Sequence, residues 1–237
     1  MADTVTTLSA LQALFADNIL RNISEQDARD FIVSAMHRLP VTEINDTASP
    51  YTASENESVI VGDATSGAIT VNLPAVATAR VGAIYVVKKE DSSNNVVTVD
   101  ASGAETIDSA TTYSLIGEGE TVTLINDGDE WHVIAQSPAN IHLSVTAAIT
   151  LPASPGRNIT IDGDTTGGAF TITLAPAANC KGMTVVIVKT DANANAITLD
   201  ADGAELINGS TTLATGTSQY DIAGRIVSDG SQWYVID

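Results

Sequence analysis

Thr98–Asp108 reads TVDASGAETID, and Thr198–Asn208 reads TLDADGAELIN. Asp100, Ala101, Gly103, Ala104, Glu105 and Ile107 each meet the same residue type one hundred positions on. The match spreads outward on both sides. Gly82, Val86, Lys89, Asp91 and Asn95 recur as Gly182, Val186, Lys189, Asp191 and Asn195. Upstream, AITVNLP (Ala68–Pro74) parallels AFTITLAP (Ala169–Pro176). Downstream, NDGDEWHVI (Asn126–Ile134) parallels SDGSQWYVI (Ser228–Ile236), with the offset grown to 102. Two copies at a period near one hundred are too few for a propeller and too long a period for a solenoid repeat. They are a domain in tandem.

Each copy carries strand-like runs in one order. The first has SVIV, AITVNL, AIYVVKK, NVVTVD, TYSLI, TVTLIND and WHVIA. The second has NITID, FTITL, TVVIVKT, AITLD, a weaker STTLA, DIAGRIVSD and WYVI. Turn signals separate nearly all of them, among them DATSG, EDSSNN, NDGDE, GDTTGG and SDGSQ. Abundant Thr, Val and Ile favour a pleated surface, and aromatic residues are only 4%. The fold class expected is mainly β: two small antiparallel sandwich or jelly-roll-like domains, at 41–137 and 138–237. Thr47–Glu57 and Ser137–Val145 read as linker or irregular edge segments.

Residues 1–40 differ. Leu8, Leu11, Leu14, Phe15 and Ile19 fall near helical spacing. A second helix starts at Ser24, a good N-cap, with Glu25 and Asp27 opposing the dipole in its first turn. Ala28, Phe31, Ile32, Ala35 and Met36 form its apolar stripe, and Pro40 stops it. Such short helices bury too little to fold alone, so they are expected to pack on the β region or on a partner. Leu11, Phe15, Phe31 and Ile32 are the candidate packing residues of this anchoring region.

Ten Lys and Arg against 29 Asp and Glu give a formal net charge of −19. That surface repels nucleic acid and anionic bilayers, whose binding begins with cationic neutralisation of phosphate. No apolar run approaches membrane-spanning length, and the N-terminus has no basic n-region, so neither a transmembrane helix nor a signal peptide is expected. Cys180 is the single cysteine, so there is no intrachain disulfide and no Cys-rich zinc site.

Chemistry has few places to reside. Asp200, Asp202 and Glu205 carry the alternating oxygens that Ca²⁺ takes, but Ser102 replaces the second Asp in the first copy. The simpler reading is a turn used twice, with Gly103 and Gly203 supplying positive φ. No segment fits a P-loop or a dinucleotide fingerprint. His37, His132 and His142 share no metal-binding spacing, and no Gly-x-Ser-x-Gly elbow supports a triad. Lys181 beside Cys180 would lower a thiol pKa, but a passive thiol is the expectation. No cofactor, no metal and no catalysis are expected. Trp131 and Trp233 each open the last strand of their copy. Either they plug the end of a small core or they stack a sugar ring at the surface.

The run from Leu73 to Ala135 resembles a module of tailed-bacteriophage virion proteins. Its marks here are Leu-Pro, a strand ending in Lys-Lys, Asp-Ser-Ser, Gly-x-Glu-Thr-Ile-Asp and a closing Asp-Gly-x-x-Trp. The opening LQALFADN…ISEQDARDFIVS is similar to N-termini of phage structural proteins. The second copy departs most, with Thr190 replacing an acid and LATGTSQYDIAG lacking the usual strand. The resemblance implies a non-enzymatic capsid decoration protein: a cement or head-fibre subunit, a homotrimer, with its N-terminal region docked on the major capsid protein. It would be made in the host cytoplasm and sit on the virion surface. The other implied role is a short tail fibre or receptor-binding module for cell-surface carbohydrate, using Trp131 and Trp233.

Overall fold

The computed structural model describes residues 41–55, 57–138, 140–153, 155–214 and 222–236, with backbone alone for 222–224. The expected helices and their candidate residues Leu11, Phe15, Phe31 and Ile32 lie outside the described residues. In the first copy the strands are β1 (Val41–Asn45), β2 (Tyr51–Thr52), β3 (Val59–Asp63), β4 (Ile69–Asn72), β5 (Ile84–Lys89), β6 (Val97–Asp100), β7 (Thr112–Leu115), β8 (Thr121–Asn126) and β9 (Trp131–Ser137). In the second they are β10 (Asn140–Val145), β11 (Ile149–Thr150), β12 (Asn158–Gly163), β13 (Phe170–Thr173), β14 (Thr184–Lys189), β15 (Ile197–Asp200), β16 (Thr212–Ala214), β17 (Ile222–Ser228) and β18 (Trp233–Ile236).

Each copy builds the same two sheets. The first has the orders β1-β3-β5-β8-β9 and β2-β4-β6-β7. The second has β10-β12-β14-β17-β18 and β11-β13-β15-β16. The architecture is therefore mainly β and two-layered, but the antiparallel, jelly-roll-like expectation needs correction. The pairs β1/β3, β3/β5, β2/β4 and β4/β6 are parallel, as are their counterparts in the second copy. Only β7, β8 and β9, and likewise β16, β17 and β18, join antiparallel.

The reason lies in the path of the chain. Through the first six strands it visits one sheet and then the other, so each coil lays a strand parallel on the strand of the coil before. A parallel pair needs a crossover; here a strand of the opposite sheet supplies it instead of a helix. Val59 lies beside Val86 and Ile69 beside Val97, so one coil takes 27 or 28 residues (59 to 86, 69 to 97). Apolar alternation shows which face of a strand is buried and leaves its direction open. The segments read as linkers are partly strand: they hold β2 and all of β10, and with β1 and β11 these form the first coil of each copy.

The core fills the space between the two layers. Ile60, Val87 and Leu124 from one sheet meet Ile69, Val99 and Leu115 from the other, all at most 1% exposed. Ile161, Val185 and Ile187 meet Ile172, Ile197 and Leu199 in the second copy in the same way. Burying one such side chain stabilises by about 1.5–3 kcal/mol.

Candidate functional site

The repeated acidic motif begins where β6 and β15 end. The Asp100 and Asp200 carbonyls accept the Leu73 and Leu174 N–H groups, each at 2.8 Å. The chain then reverses through Gly103 (φ 64°) and Gly203 (φ 57°), where any residue with a Cβ would be strained. The Glu that follows turns back into the protein. Both Glu105 oxygens accept the Val76 N–H, at 3.1 and 2.9 Å, and both Glu205 oxygens accept the Ala177 N–H, at 3.1 and 2.8 Å. This carboxylate ties the loop after β4 to the loop after β6. The motif is a corner brace present twice. Among the described residues, no group of three or more His, Cys, Asp or Glu side chains is placed to hold a metal ion.

The second repeated feature is a buried lysine. The strand AIYVVKK alternates Tyr85, Val87 and Lys89 inward, so pleating alone carries Lys89 into the interior. Lys89 and Lys189 are both 0% exposed. Their Nζ atoms sit 2.5 and 2.6 Å from Asp91 Oδ1 and Asp191 Oδ1. Each ammonium also donates to the carbonyl of the same Asp, at 3.0 and 2.9 Å. The second carboxylate oxygens accept the N–H of Ala64 (2.7 Å) and Thr165 (2.6 Å). Asn95 and Asn195 close the knot by donating to the carbonyls of Ala64 (2.8 Å) and Thr165 (2.9 Å). Burial would raise the Asp91 carboxyl, but the bonds from Lys89, Ser93 and the Ala64 N–H outweigh it and bring it down to about 2. The same balance holds Asp191 well below the usual range. A third acceptor completes each ammonium's set: the Ser93 hydroxyl for Lys89 at 3.4 Å and the Asn193 carbonyl for Lys189 at 2.7 Å. These knots pin the corner after β3 to the corner after β5 and are structural.

Trp131 and Trp233 are each 0% exposed. Trp131 meets Tyr85 edge-on, with ring centroids 5.5 Å apart. Their backbones pair with the corner loops: Trp131 N–H to Thr106 O and Trp233 N–H to Leu206 O, both at 3.0 Å. A ring that stacks a sugar must present a face to solvent, so the stacking expectation at these two residues is withdrawn. They fill the end of each core.

The next residue differs between the copies. His132 lies between two carboxylates, Nδ1 at 3.0 Å from Asp108 Oδ1 and Nε2 at 2.9 Å from Asp127 Oδ2. Tyr234 stands at the matching position, and Asn208 replaces Asp108. The Asp127 bond, then the Asp108 bond, raises the His132 pKa. Asp127 itself is brought to about 2 by the N–H groups of Glu130 and Asp129, with His132 adding to them.

The two copies meet through a buried ion pair without a duplicate. Arg157, 1% exposed, contacts the carboxylate of Glu120, which is 0% exposed. Burial pushes the Glu120 carboxyl up, and Arg157 opposes it. The guanidinium also stacks over Tyr113, 5.4 Å from the ring centre. Beside it, Ile116 of the first copy joins the core of the second. A Cβ on Gly117 would come within 2.6 Å of Ile141, so only glycine admits this approach. Next to the junction a cleft of about 750 Å³ opens between the copies. Its walls include Thr111, Tyr113, Ile134 and Gln136 on one side and Asn179 and Lys181 on the other. The Tyr113 hydroxyl donates to Gln136 Oε1 at 2.5 Å.

Cys180 is fully buried. His142 pairs with Asp162 at 3.0 Å on an outer face. The buried lysines and the Glu120–Arg157 pair were not singled out by sequence. For the lysines the available signal was their inward place in an alternating run. For the ion pair there was none, because Arg157 follows a turn and has no duplicate.

No family model matches the chain, and no curated protein matches it. Among solved structures, one described as "Structure of a chaperone-substrate complex" is 16% identical, with a TM-score of 0.38. The match covers 84% of this chain and 36% of that one, so this chain spans well under half of its length.

Proposed function

We propose that the chain is a non-enzymatic structural protein of a tailed-phage virion that decorates and stabilises the capsid. In this reading it assembles as a homotrimer, and residues 1–40 dock on the major capsid protein. The observation that carries the non-catalytic part is the employment of the charges that the two copies share. Lys89, Lys189, Asp91, Asp191, Glu105 and Glu205 are all bonded to backbone or to one another. The resemblance of the Leu73–Ala135 run to phage virion modules supports the rest. Area buried across several shell subunits would raise the cost of separating them. The experiment is an electron-microscopy map of the virion that carries the protein. Density repeated over the capsid lattice is expected, and density confined to the tail tip overturns the reading.

The cleft between the copies favours a second reading, a tail-fibre module that binds carbohydrate. Its aromatic wall (Tyr113) and neutral hydrogen-bonding groups (Thr111, Gln136, Asn179) suit a hydroxyl-rich ligand. A glycan array with the full chain tests it: binding lost in Tyr113→Ala supports it, and an empty array removes it.

A further inference from the structure

The two copies differ on the outer faces of their five-stranded sheets. In the first copy one row runs Val41–Val59–Val86–Thr123 across β1, β3, β5 and β8. The matching row of the second copy runs His142–Thr160–Val186–Arg225. The flanking pair Ile84–Ile125 becomes Thr184–Val227. Another row runs Glu43–Val61–Lys88 in the first copy, where the second has Ser144–Asp162–Val188. Val41 is 58% exposed and Ile84 44%. One fold thus carries a more polar face in one copy and a more apolar face in the other. A sheet face open to water is polar on that side, and a contiguous apolar one marks a contact.

We infer that this outer face of the first copy is where a second copy of the chain docks. The inference rests on the proposed self-association and names its surface. Charge identifies the occupant. The chain carries a net charge of −19, so copies repel over most of their surface. The exception is one row of this face, with Asp63 and Asn45 in the row beyond it. Glu43 on the edge strand β1 and Lys88 on the central strand β5 share one row with Val61 between them, and the row runs on to Thr121 and Ser137. Such a face suits a ring of three copies: Glu43 of one chain meets Lys88 of the next while the valines and isoleucines pack. A partner chosen for charge alone would meet a basic or an acidic patch here, and the row is balanced.

The test uses the full chain. Light scattering is expected to show an oligomer for the wild type. Val86→Glu is expected to weaken association at least about 30-fold, as a central contact does, with circular dichroism unchanged. Val186→Glu, the matched change on the polar face, is expected to leave association unaltered. A double variant, Glu43→Cys with Lys88→Cys, supplies the direct readout. The two sites lie two strand spacings apart, about 10 Å, beyond the reach of a disulfide within one chain. Cys180 stays native because it is buried. Oxidation is expected to give covalently joined chains. A monomeric wild type, an oligomer untouched by Val86→Glu, or a double variant that stays uncrosslinked each overturns the inference. An oligomer broken by Val86→Glu on a protein mapped to the tail keeps the interface and discards the capsid reading.

Discussion

The two copies agree on the inside and part company on the outside. Lys89 and Lys189, Asp91 and Asp191, Glu105 and Glu205, and Trp131 and Trp233 occupy matching sites and make matching bonds. On the surface, valine has become histidine, threonine or aspartate, and His132 has become Tyr234. The inward polar residues bind backbone groups of neighbouring coils, so replacing one strands a buried donor or charge. The outward residues answer only to water or to a partner. What the copies share is therefore the fold, and what they do not share is where each one's own role lies.

The largest expected effect comes from breaking a knot. Asp91→Ala leaves the Lys89 ammonium buried without its counter-charge, and Asp191→Ala does the same to Lys189. Each is expected to cost about 3–5 kcal/mol of stability in denaturant unfolding. The comparison requires both to be large. A loss under about 1 kcal/mol for one of them would mean that one copy does not depend on its knot.

A unique contact should behave differently from a duplicated one. Glu120→Ala leaves Arg157 buried between the copies, and a loss of about 3 kcal/mol is expected. Because the pair lies at the junction, the loss should appear with a weakened coupling: one unfolding transition in the wild type and two in the variant. A single transition, shifted but unsplit, would place the coupling of the copies elsewhere, in the close approach of Gly117 to Ile141 and the packing of Ile116.

The braces come next. Glu105→Gln and Glu205→Gln each retain one acceptor oxygen and lose the charge, so each is expected to cost about 1–2 kcal/mol. The same pair separates a turn from a cation site. Millimolar calcium is expected to leave the Tm of the wild type unchanged. A calcium-dependent rise in Tm, abolished by Glu205→Gln and kept in Glu105→Gln, would show that Asp202 has turned one brace into a metal site.

Much of this interior was legible. The one-hundred-residue offset located both copies, and the runs from SVIV to WYVI coincide with strands of both. Parallel pairing was hidden because Val59, Val61 and Val86 look the same whichever way the strand beside them runs. The first coil was hidden by its composition: β1 and β10 are half polar, and β2 and β11 are two residues each. Two readable signals would have sharpened the site. VIV in β3 is apolar on both parities, which a one-faced strand does not require. Lys89 falls on the buried parity of β5, which an unpaired lysine does not tolerate.

The smallest expected effect separates the copies by pH. The bonds from Asp127 and Asp108 raise the His132 pKa above its ordinary 6.5. A raised histidine binds its proton more tightly in the folded state. Its contribution is therefore fully present below the unfolded value, near 6.5, and is lost as pH rises through the higher folded value. The wild type should lose a little stability over that window relative to His132→Gln, and this contribution has no counterpart in the second copy, where Tyr234 stands at the matching position. Titration of the His132 ring by NMR gives the direct number. Asp108→Asn installs the residue found at Asn208 and removes the second of the two causes, so the ring should titrate nearer 6.5. Asp127→Asn removes the first and should move it further. If neither substitution moves the ring, the two carboxylates do not grip it in solution, and the contrast between His132 and Tyr234 is one of shape alone.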